Sequence, residues 1–487
     1  MNMVVRGVIV PMFDFLVRSG GGQDLAPGIA DKWELAPDGL SWFFFIHKGI
    51  KFHNGEDLTA EDVKFSLDGY LSEKAIYADL RLMVDRVDIV DDYTVRVYTK
   101  GVQPFLPRTV LNDYSPNLGQ VVPKDYIEKN GVEYFQRHPV GSGPFRFVRY
   151  VPGDMVEYEA LDKHWRQVPA FKKLSVILIP EETTRVAMLK TGTLDAVDID
   201  LESAFDLEPA GFRIVTLGVY PVHVFLHGAY LPQAAGMPIA DIRVRQALSL
   251  AINRDEIQSS FFRGKAAPAG PPFLAASAAD VDFSYWLKYS ADVWRYDPEE
   301  ARRLLKEAGY PQGFSIKFWS FTQDGVPYAP KLVEIIQGYW ARIGVKAEIV
   351  PTDYGTFRAS RVGGAGRTPV PALIGQASVV GINEMPVAGK SLRIGFAATG
   401  SYNFLVGAAF LTEVTALIDA SFSETDAKKR ADILAKVIKI GTDSYTALTL
   451  AAAPALVALG PQIDIDLPKP PVSSIAGHAE FAKHRKQ

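Results

Sequence analysis

The sequence predicts an α/β protein organised in two lobes, and three observations predict it. Residues 40–160 are rich in alternating apolar and aromatic positions and read as mainly β. Two later stretches, 174–199 and 314–350, each read as strand, helix, strand. From about residue 237 the signals are helical, with clear caps. Two α/β lobes together with a β-rich segment suggest a cleft between the lobes, where ligands usually sit.

Composition narrows the classes. The chain has 487 residues, is 48% hydrophobic and 22% charged, and carries a formal net charge of -4. That is enough chain for several domains and a large core. It has no broad basic footprint for nucleic acid and no polybasic patch for a membrane surface. With no cysteine, disulfides, thiolate metal sites and thiol catalysis are excluded. No apolar run reaches the ~18 residues of a membrane helix. The opening "MNMVVRGVIVPMFDFLVRSG" has Arg6 ahead of an apolar run that is broken by Gly7 and Pro11, so it is not read as a signal peptide.

Taken in order, "WFFFIH" (42–47) predicts a buried strand, and Asn54-Gly55 a turn. Thr59 predicts a helix N-cap, with Asp62 three residues on closing a capping box and Val63, Leu67, Tyr70 and Leu71 forming one stripe. Residues 85–99 predict a hairpin, and 143–161 two more strands about Pro152-Gly153. "LSVILIP" (174–180), a helix over 181–191 and "LDAVDI" (194–199) predict a β-α-β unit, followed by the strand "VYPVHVFLH" (219–227). Asp241 predicts the cap of a helix carrying Val244, Ala247, Leu248, Ala251 and Ile252. Asp297 predicts another cap, with Pro298 at the first helical position, Glu300 closing the box and Gly309 ending the helix. "FSIKFW" (314–319), a helix over 330–344 and "VKAEIV" (345–350) predict the second β-α-β unit. Two helices are predicted over 411–440, an apolar return over 447–460, and a Pro-rich, then charged, tail from Pro468.

Four blocks, in order, carry a family resemblance: "PGIADKWELAPDGLSWFFFIHKGIKFHNGEDLTAEDVKFSL", "HPVGSGPFRFVRYVPGDMVEYEALDKHWR", "IPEETTRVAMLKTGTLDAVDI" and "DIRVRQALSLAINRDEI". Over roughly residues 13–460 the chain resembles the family 5 extracellular solute-binding proteins, the peptide- and nickel-type receptors of ABC importers. The resemblance implies a two-lobed periplasmic-binding-protein-like fold, type II and cluster C-like, with an extra β-rich domain inserted in lobe one. The inserted domain is expected over 13–164, the α/β domain of lobe one over 165–236 plus 462–487, and lobe two over 237–461. It implies a monomeric receptor, periplasmic or extracellular and membrane-associated, that closes like a hinge on a small organic solute and hands it to an ABC transporter membrane permease. The solute class is peptide-like or aromatic and carboxylated; no catalysis, cofactor, metal or nucleic acid is implied. By comparison with relatives, roughly 40 residues of the mature fold are expected ahead of the point where this chain begins, which reads as a trimmed or misassigned start or as an atypical domain.

Candidate site residues follow from both readings. In "VHVFLH" (222–227), period two puts His223, Phe225 and His227 on one face and Val222, Val224 and Leu226 on the other. The resemblance runs this strand toward the hinge, so the His/Phe/His face is expected at the ligand, the imidazoles binding polar groups and Phe225 stacking a ring. The bland alternative is three partly buried side chains satisfied by neighbours. Trp319 ends a strand and is expected at the ligand or in the core. Peptide-binding members carry a Gly-Trp segment followed by an Asp that pairs with the peptide amine; here "LIGQASVVG" (373–381) has Gln376 at the Trp position and no Asp. Arg393, Tyr402 and Asn403 fall where relatives often contact ligand, Arg393 as a carboxylate clamp or a surface Arg. His47 and His53 read as structural. "GSG" (141–143) lacks the Lys-Ser/Thr ending and helix start of a phosphate loop. A reading from another class is a His-dependent metal enzyme or hydrolase using His223 and His227.

Overall fold

The computed structural model describes residues 9–21, 24–73, 75, 79–111, 119–278, 280–323, 325–362, 369–382, 387–467 and 474–485. The first eight residues of the opening run and residues 468–473 of the Pro-rich tail lie outside the described residues. Among the described residues no helix is long and apolar enough to cross a membrane. The strands in chain order are β1 (Val17–Gly21), β2 (Asp24–Pro27), β3 (Ala30–Leu35), β4 (Ser41–Ile46), β5 (Val84–Asp91), β6 (Thr94–Thr99), β7 (Phe145–Val151), β8 (Met155–Ala160), β9 (Lys173–Ile177), β10 (Ala196–Ile199), β11 (Arg213–Leu226), β12 (Ser315–Ser320), β13 (Lys346–Pro351), β14 (Ala377–Gly381), β15 (Ala447–Leu459), β16 (Ile463–Ile465) and β17 (Ala482–His484). The chain forms two compact units, Met1–Gly218 with Leu456–Gln487, and Val219–Ala455. It passes from one to the other within β11 and again within β15.

In the first unit β3, β4, β6 and β5 form an antiparallel sheet in that order. Phe44, Ile46, Val87, Val95 and Val97 face a common core with Val63 and Leu67 of the helix Ala60–Leu71. That helix starts as its sequence dictates. The Thr59 side chain accepts from the helix backbone, and Asp62 accepts from the Thr59 amide at 2.9 Å. The free oxygen of Asp62 accepts from the Lys124 amide at 2.9 Å, so the acid also fixes the start of the helix Lys124–Asn130.

The first predicted β-α-β unit is corrected. β9 joins the antiparallel sheet β7-β8-β9, whereas β10 pairs antiparallel with Leu456–Leu459 of β15. The helix Glu182–Lys190 therefore links strands of different sheets. β9 is not the buried strand expected: none of its five residues is fully buried.

The two histidines and the "GSG" segment share one structural job. His53 Nε2 donates to the Gly143 carbonyl at 2.9 Å, leaving Nδ1 to accept from the Gly141 amide at 3.3 Å. Both ring nitrogens are thus engaged by the loop. Gly141 lies so close to the segment 11–13 that a Cβ there would stand 2.0 Å from the Met12 carbonyl oxygen, so only glycine fits. His47 pairs with Asp31 at 2.9 Å and rests 5.1 Å from the Trp165 ring.

A buried ionic network ties this unit's beginning to its end. Arg166 donates to Asp14 at 2.6 Å and to Glu480 at 2.7 Å. Trp165 Nε1 donates to the other Asp14 oxygen at 2.9 Å, and Arg18 pairs with Glu480 at 2.9 Å. The Asp14 and Glu480 side chains are almost wholly buried. Burial alone pushes the Asp14 carboxyl up, but the Arg166 charge and hydrogen bonds from His164 and Arg166 outweigh it and hold the acid well below the usual carboxylate range.

In the second unit the strand order is β15-β11-β14-β12-β13, with β12 parallel to both β13 and β14. The second β-α-β unit stands: β12, the helix Ala329–Ala341, then β13. Trp340 of that helix is fully buried, stacks on Phe318 at 5.0 Å and donates to the Leu248 carbonyl at 3.0 Å. Asp241 and Asp297 cap their helices as predicted, and Pro298 opens the second. Glu300 departs from its predicted role: its carboxylate takes both ends of the Arg303 fork at 2.6 Å instead of closing the box.

Candidate functional site

The second unit gathers chemistry-bearing side chains on β11 and the segments packed against it. Within β11, Val222 to Leu226 pair antiparallel with Gly381 to Ala377, and the ladder continues as the His227 amide donates to the Gln376 carbonyl at 2.9 Å. His223, Phe225 and His227 share one face, as period two demands. Phe225 lies 5.4 Å from the His223 ring and 6.2 Å from that of His227. The face is covered, however. Phe273 stacks on His223 at 5.7 Å, Phe404 lies 4.2 Å from Phe225, and Phe357 lies 5.8 Å from His227. His223, Phe225 and His227 are each at most 1% exposed. Alternation reports which residues share a face, and here the aliphatic face and the aromatic face are both inside.

The two imidazoles are neutral. Burial drives the His223 pKa down to about 3, and burial with the nearby Arg361 charge drives that of His227 down to about 3. His223 Nδ1 shares a hydrogen bond with Thr449 Oγ1 at 3.1 Å, and His227 Nε2 with Ser378 Oγ at 2.8 Å. His223 Nε2 is sealed without a hydrogen-bond partner. Among the described residues no group of three or more His, Cys, Asp or Glu side chains could hold a metal ion.

Tyr402 joins this cluster, 5.5 Å from Phe225 and 5.8 Å from Phe273. Its hydroxyl is pushed up to about 12, chiefly by burial. Asn403 follows with φ 40°, and Phe273 has φ 61°. Both are non-glycine residues in the left-handed region, and such strain concentrates where a surrounding site imposes it. Asn403 donates weakly to the Ala398 carbonyl at 3.4 Å while its Oδ1 is sealed without a partner.

The remaining predicted residues sit differently. Gln376 commits its amide to the sheet, its Oε1 accepting from the Lys317 amide at 2.8 Å. Trp319 is half-buried opposite Ser378, with its indole N–H unpartnered. Arg393 is not brought to the cluster: it pairs with Asp419 at 2.5 Å and lies over the Phe422 ring.

A residue that the sequence reading did not single out takes the central place. Arg361 lies on the helix Tyr354–Val362, whose start is fixed by Asp353 accepting from the Thr356 amide and hydroxyl. Its guanidinium carbon sits 3.8 Å from the Tyr402 ring centroid, and Nη1 donates to the Ser401 carbonyl at 2.5 Å. It is 6% exposed. Burial lowers its pKa, Tyr402 and Tyr354 offset this in part, and Arg358 one turn earlier adds to the lowering. Phe357 on the same helix fills the space beside His227.

The second unit thus carries a sheet of mixed parallel and antiparallel strands with a neutral aromatic and histidine cluster on β11. The sequence profile of the bacterial extracellular solute-binding proteins, family 5 (middle region), matches residues 24–367. The chain belongs to that family. It is 29% identical over 378 residues to the dipeptide-binding protein of Escherichia coli, covering 72% of this chain and 67% of the relative. It is 33% identical over 347 residues to the glutathione-binding protein GsiB of Pectobacterium atrosepticum, covering 69% and 63%. The matched regions thus span about two thirds of these relatives' length. In structure the chain resembles the ABC transporter substrate-binding protein CtaP of Listeria monocytogenes, with a TM-score of 0.82 and 19% identity over 99% of this chain and 95% of that one.

Proposed function

We propose that this protein is the solute-capture component of a bacterial ABC importer: it binds a small organic solute outside the cytoplasmic membrane and delivers it to a membrane permease, without making or breaking bonds in it. The observation that carries this reading is the family profile running from residue 24 to residue 367. Relatives named for dipeptide and glutathione binding point to a peptide-like or carboxylated solute. The absence of an Asp from the segment 373–381 argues against recognition of a peptide amine there, since a buried ammonium without a carboxylate partner is costly. On this reading the solute meets the second unit at Tyr402 and Arg361, with His223, Phe225 and His227 behind them as a rigid neutral wall and Trp319, Gln376 and Asn403 at its margin. Arg393, engaged with Asp419, leaves the charged role to Arg361. The protein works as a monomer in the periplasm, or outside the cell and membrane-associated. The hydrolase or metal-enzyme reading is not favoured, because His223 and His227 are at most 1% exposed beneath Phe273, Phe404 and Phe357, which leaves no room for a substrate at either imidazole.

The test is thermal unfolding of the purified chain against a library of small solutes, since a ligand that binds only the folded state raises its stability by RT ln(1 + [L]/Kd). At least one compound should raise the midpoint in a concentration-dependent way and be recovered chemically unchanged. A library in which nothing stabilises the protein, or a hit that is consumed, overturns the proposal.

A further inference from the structure

We infer that Arg361 is the anchor for a carboxylate on the bound solute, so that the solute is an organic acid whose carboxylate is gripped side-on beside the Tyr402 ring; this rests on the solute-capture reading above.

The argument starts from how this chain treats its other buried arginines. Arg245 donates to the carbonyls of Ser444, Ile239 and Ala240 and to the Tyr230 hydroxyl. Arg254 donates to the carbonyls of Thr449, Ser249 and Trp294 and to the Ser249 hydroxyl. Arg166 holds two carboxylates. Arg245 and Arg254 thus have their forks filled by oxygens, Arg166 has two acids although its Nε is unpartnered, and Arg430, 8% exposed, donates to the Glu424 carbonyl and has Asp280, Glu424 and Asp426 around it, so each faces acids or several acceptors, as a desolvated guanidinium requires. Arg361 is as deeply placed, at 6% exposed, yet it has one hydrogen bond, from Nη1 to the Ser401 carbonyl. Among the described residues no carboxylate pairs with it. The groups that set its protonation are Tyr402, Tyr354 and a second cation, Arg358. The acid that opens the same helix, Asp353, is already committed to Thr356.

The geometry selects the missing partner. With Nη1 turned to Ser401, the donors left are Nε and the Nη2 edge, the pair that takes the two oxygens of a planar carboxylate in parallel. Tyr402 lies 3.8 Å from the guanidinium carbon on one side, and neither Nε nor Nη2 is among the sealed atoms without a partner. Arg358, exposed and without an ion-pair partner among the described residues, adds positive potential one turn away. His227 next to the site is held neutral, so it does not repel a protonated part of the solute.

The experiment uses the full chain and matched probe pairs differing only in charge: dipeptides, aromatic acids and hydroxy acids, each alongside its primary amide, measured by thermal shift and by calorimetry. The compounds that stabilise the protein should be acids, with the amide of each binding about 100-fold more weakly. Arg361→Gln should bring the acid down to its amide's affinity, abolishing the acid-to-amide ratio. Arg361→Lys, which keeps the charge but loses the fork, should recover part of the acid preference. An amide that binds as tightly as its acid, or an acid preference that survives in Arg361→Gln, overturns this inference and leaves solute capture standing. If acids and amides alike fail to bind, solute capture falls as well. The acid-to-amide ratio of the unaltered chain decides the matter even if the variants do not fold.

Discussion

Replacing Asp14 by Asn tests the ionic network of the first unit without changing its shape. Asp14 is 2% exposed and receives Trp165 Nε1 on one oxygen and Arg166 Nη1 on the other, with His164 Nε2 3.6 Å from the first. An amide offers one acceptor oxygen and turns an N–H toward the other donor. Whichever way the new amide is rotated, the variant opposes donor to donor and leaves Arg166 without its full counter-charge in a buried site. Removing one member of such a pair costs about 3–5 kcal/mol. A folding unit of this size loses about 2–4 °C of melting temperature per kcal/mol, so the first unit should melt about 10 °C lower. The acid also contributes a pH dependence of known sign. Its pKa in the folded protein lies below the unfolded value of about 3.9, so the stabilisation is complete above about pH 4 and is lost as pH falls further. Urea titrations from pH 7 to pH 2, followed by Trp fluorescence, read both effects. Asp14→Asn should lower the unfolding free energy at pH 7 and flatten its decline below pH 4. A variant within about 1 kcal/mol of the parent at pH 7, with the same acid slope, refutes the assignment of this network as a stabilising lock.

Three further outcomes follow from individual contacts. Thr59→Ala removes the side-chain half of the capping box and should cost about 1 kcal/mol in a urea titration with unchanged m value, whereas no loss would mean the cap is carried by Asp62 alone. Gly313→Ala places a Cβ 1.8 Å from the Gly344 carbonyl oxygen at a φ of 75°, so it should destabilise by more than about 2 kcal/mol, and a neutral result would show that the turn relaxes freely. His223 and His227 are neutral when folded but protonate at about 6.5 when unfolded, so stability should fall as pH drops from about 6.5 toward 4, and His223→Phe should remove up to about 1.4 kcal/mol per pH unit of that slope; an unaltered slope would place the titration elsewhere.

Local signals in the sequence were legible where the chemistry is local. The cap at Thr59, the caps at Asp241 and Asp297, the hairpin of β5 and β6 and the parallel pair β12 and β13 all follow from residues within one element or its neighbour. What depends on distant partners was not legible. β9 and β10 are both strands, but nothing in "LSVILIP" or "LDAVDI" says that one pairs back to β8 and the other to a segment more than 250 residues later. Period two placed His223, Phe225 and His227 together, yet it carries no information on whether Phe273 and Phe404 cover them. Asp14 and Glu480 meet through Arg166 from opposite ends of the chain. Arg361 left a faint trace: residues 354–368, "YGTFRASRVGGAGRT", hold three arginines and no acid, so no helix-neighbour carboxylate was on offer to pair with them.

The two units handle buried charge in opposite ways, and the difference bears on where a solute binds. In the first unit the half-buried cation Arg166 is matched by two buried acids, although its Nε is left without a partner. In the second, Arg245 and Arg254 are closed by carbonyl oxygens, while Arg361 keeps most of its donors unused beside residues held in strained backbone at Asn403 and an aromatic wall held rigid by Phe273 at φ 61°. Strain and an under-coordinated buried charge both lower the stability of the empty protein, so their persistence in one place is explained if a bound group relieves the charge. A packed core alone would favour a neutral residue at position 361, since a well-packed apolar side chain there avoids desolvating a guanidinium for a single hydrogen bond. The same reasoning gives the histidines their part. Kept neutral by burial, they hold the shape of the wall across the physiological pH range, and on the proposed reading Arg361 is then the charged group that a solute would meet.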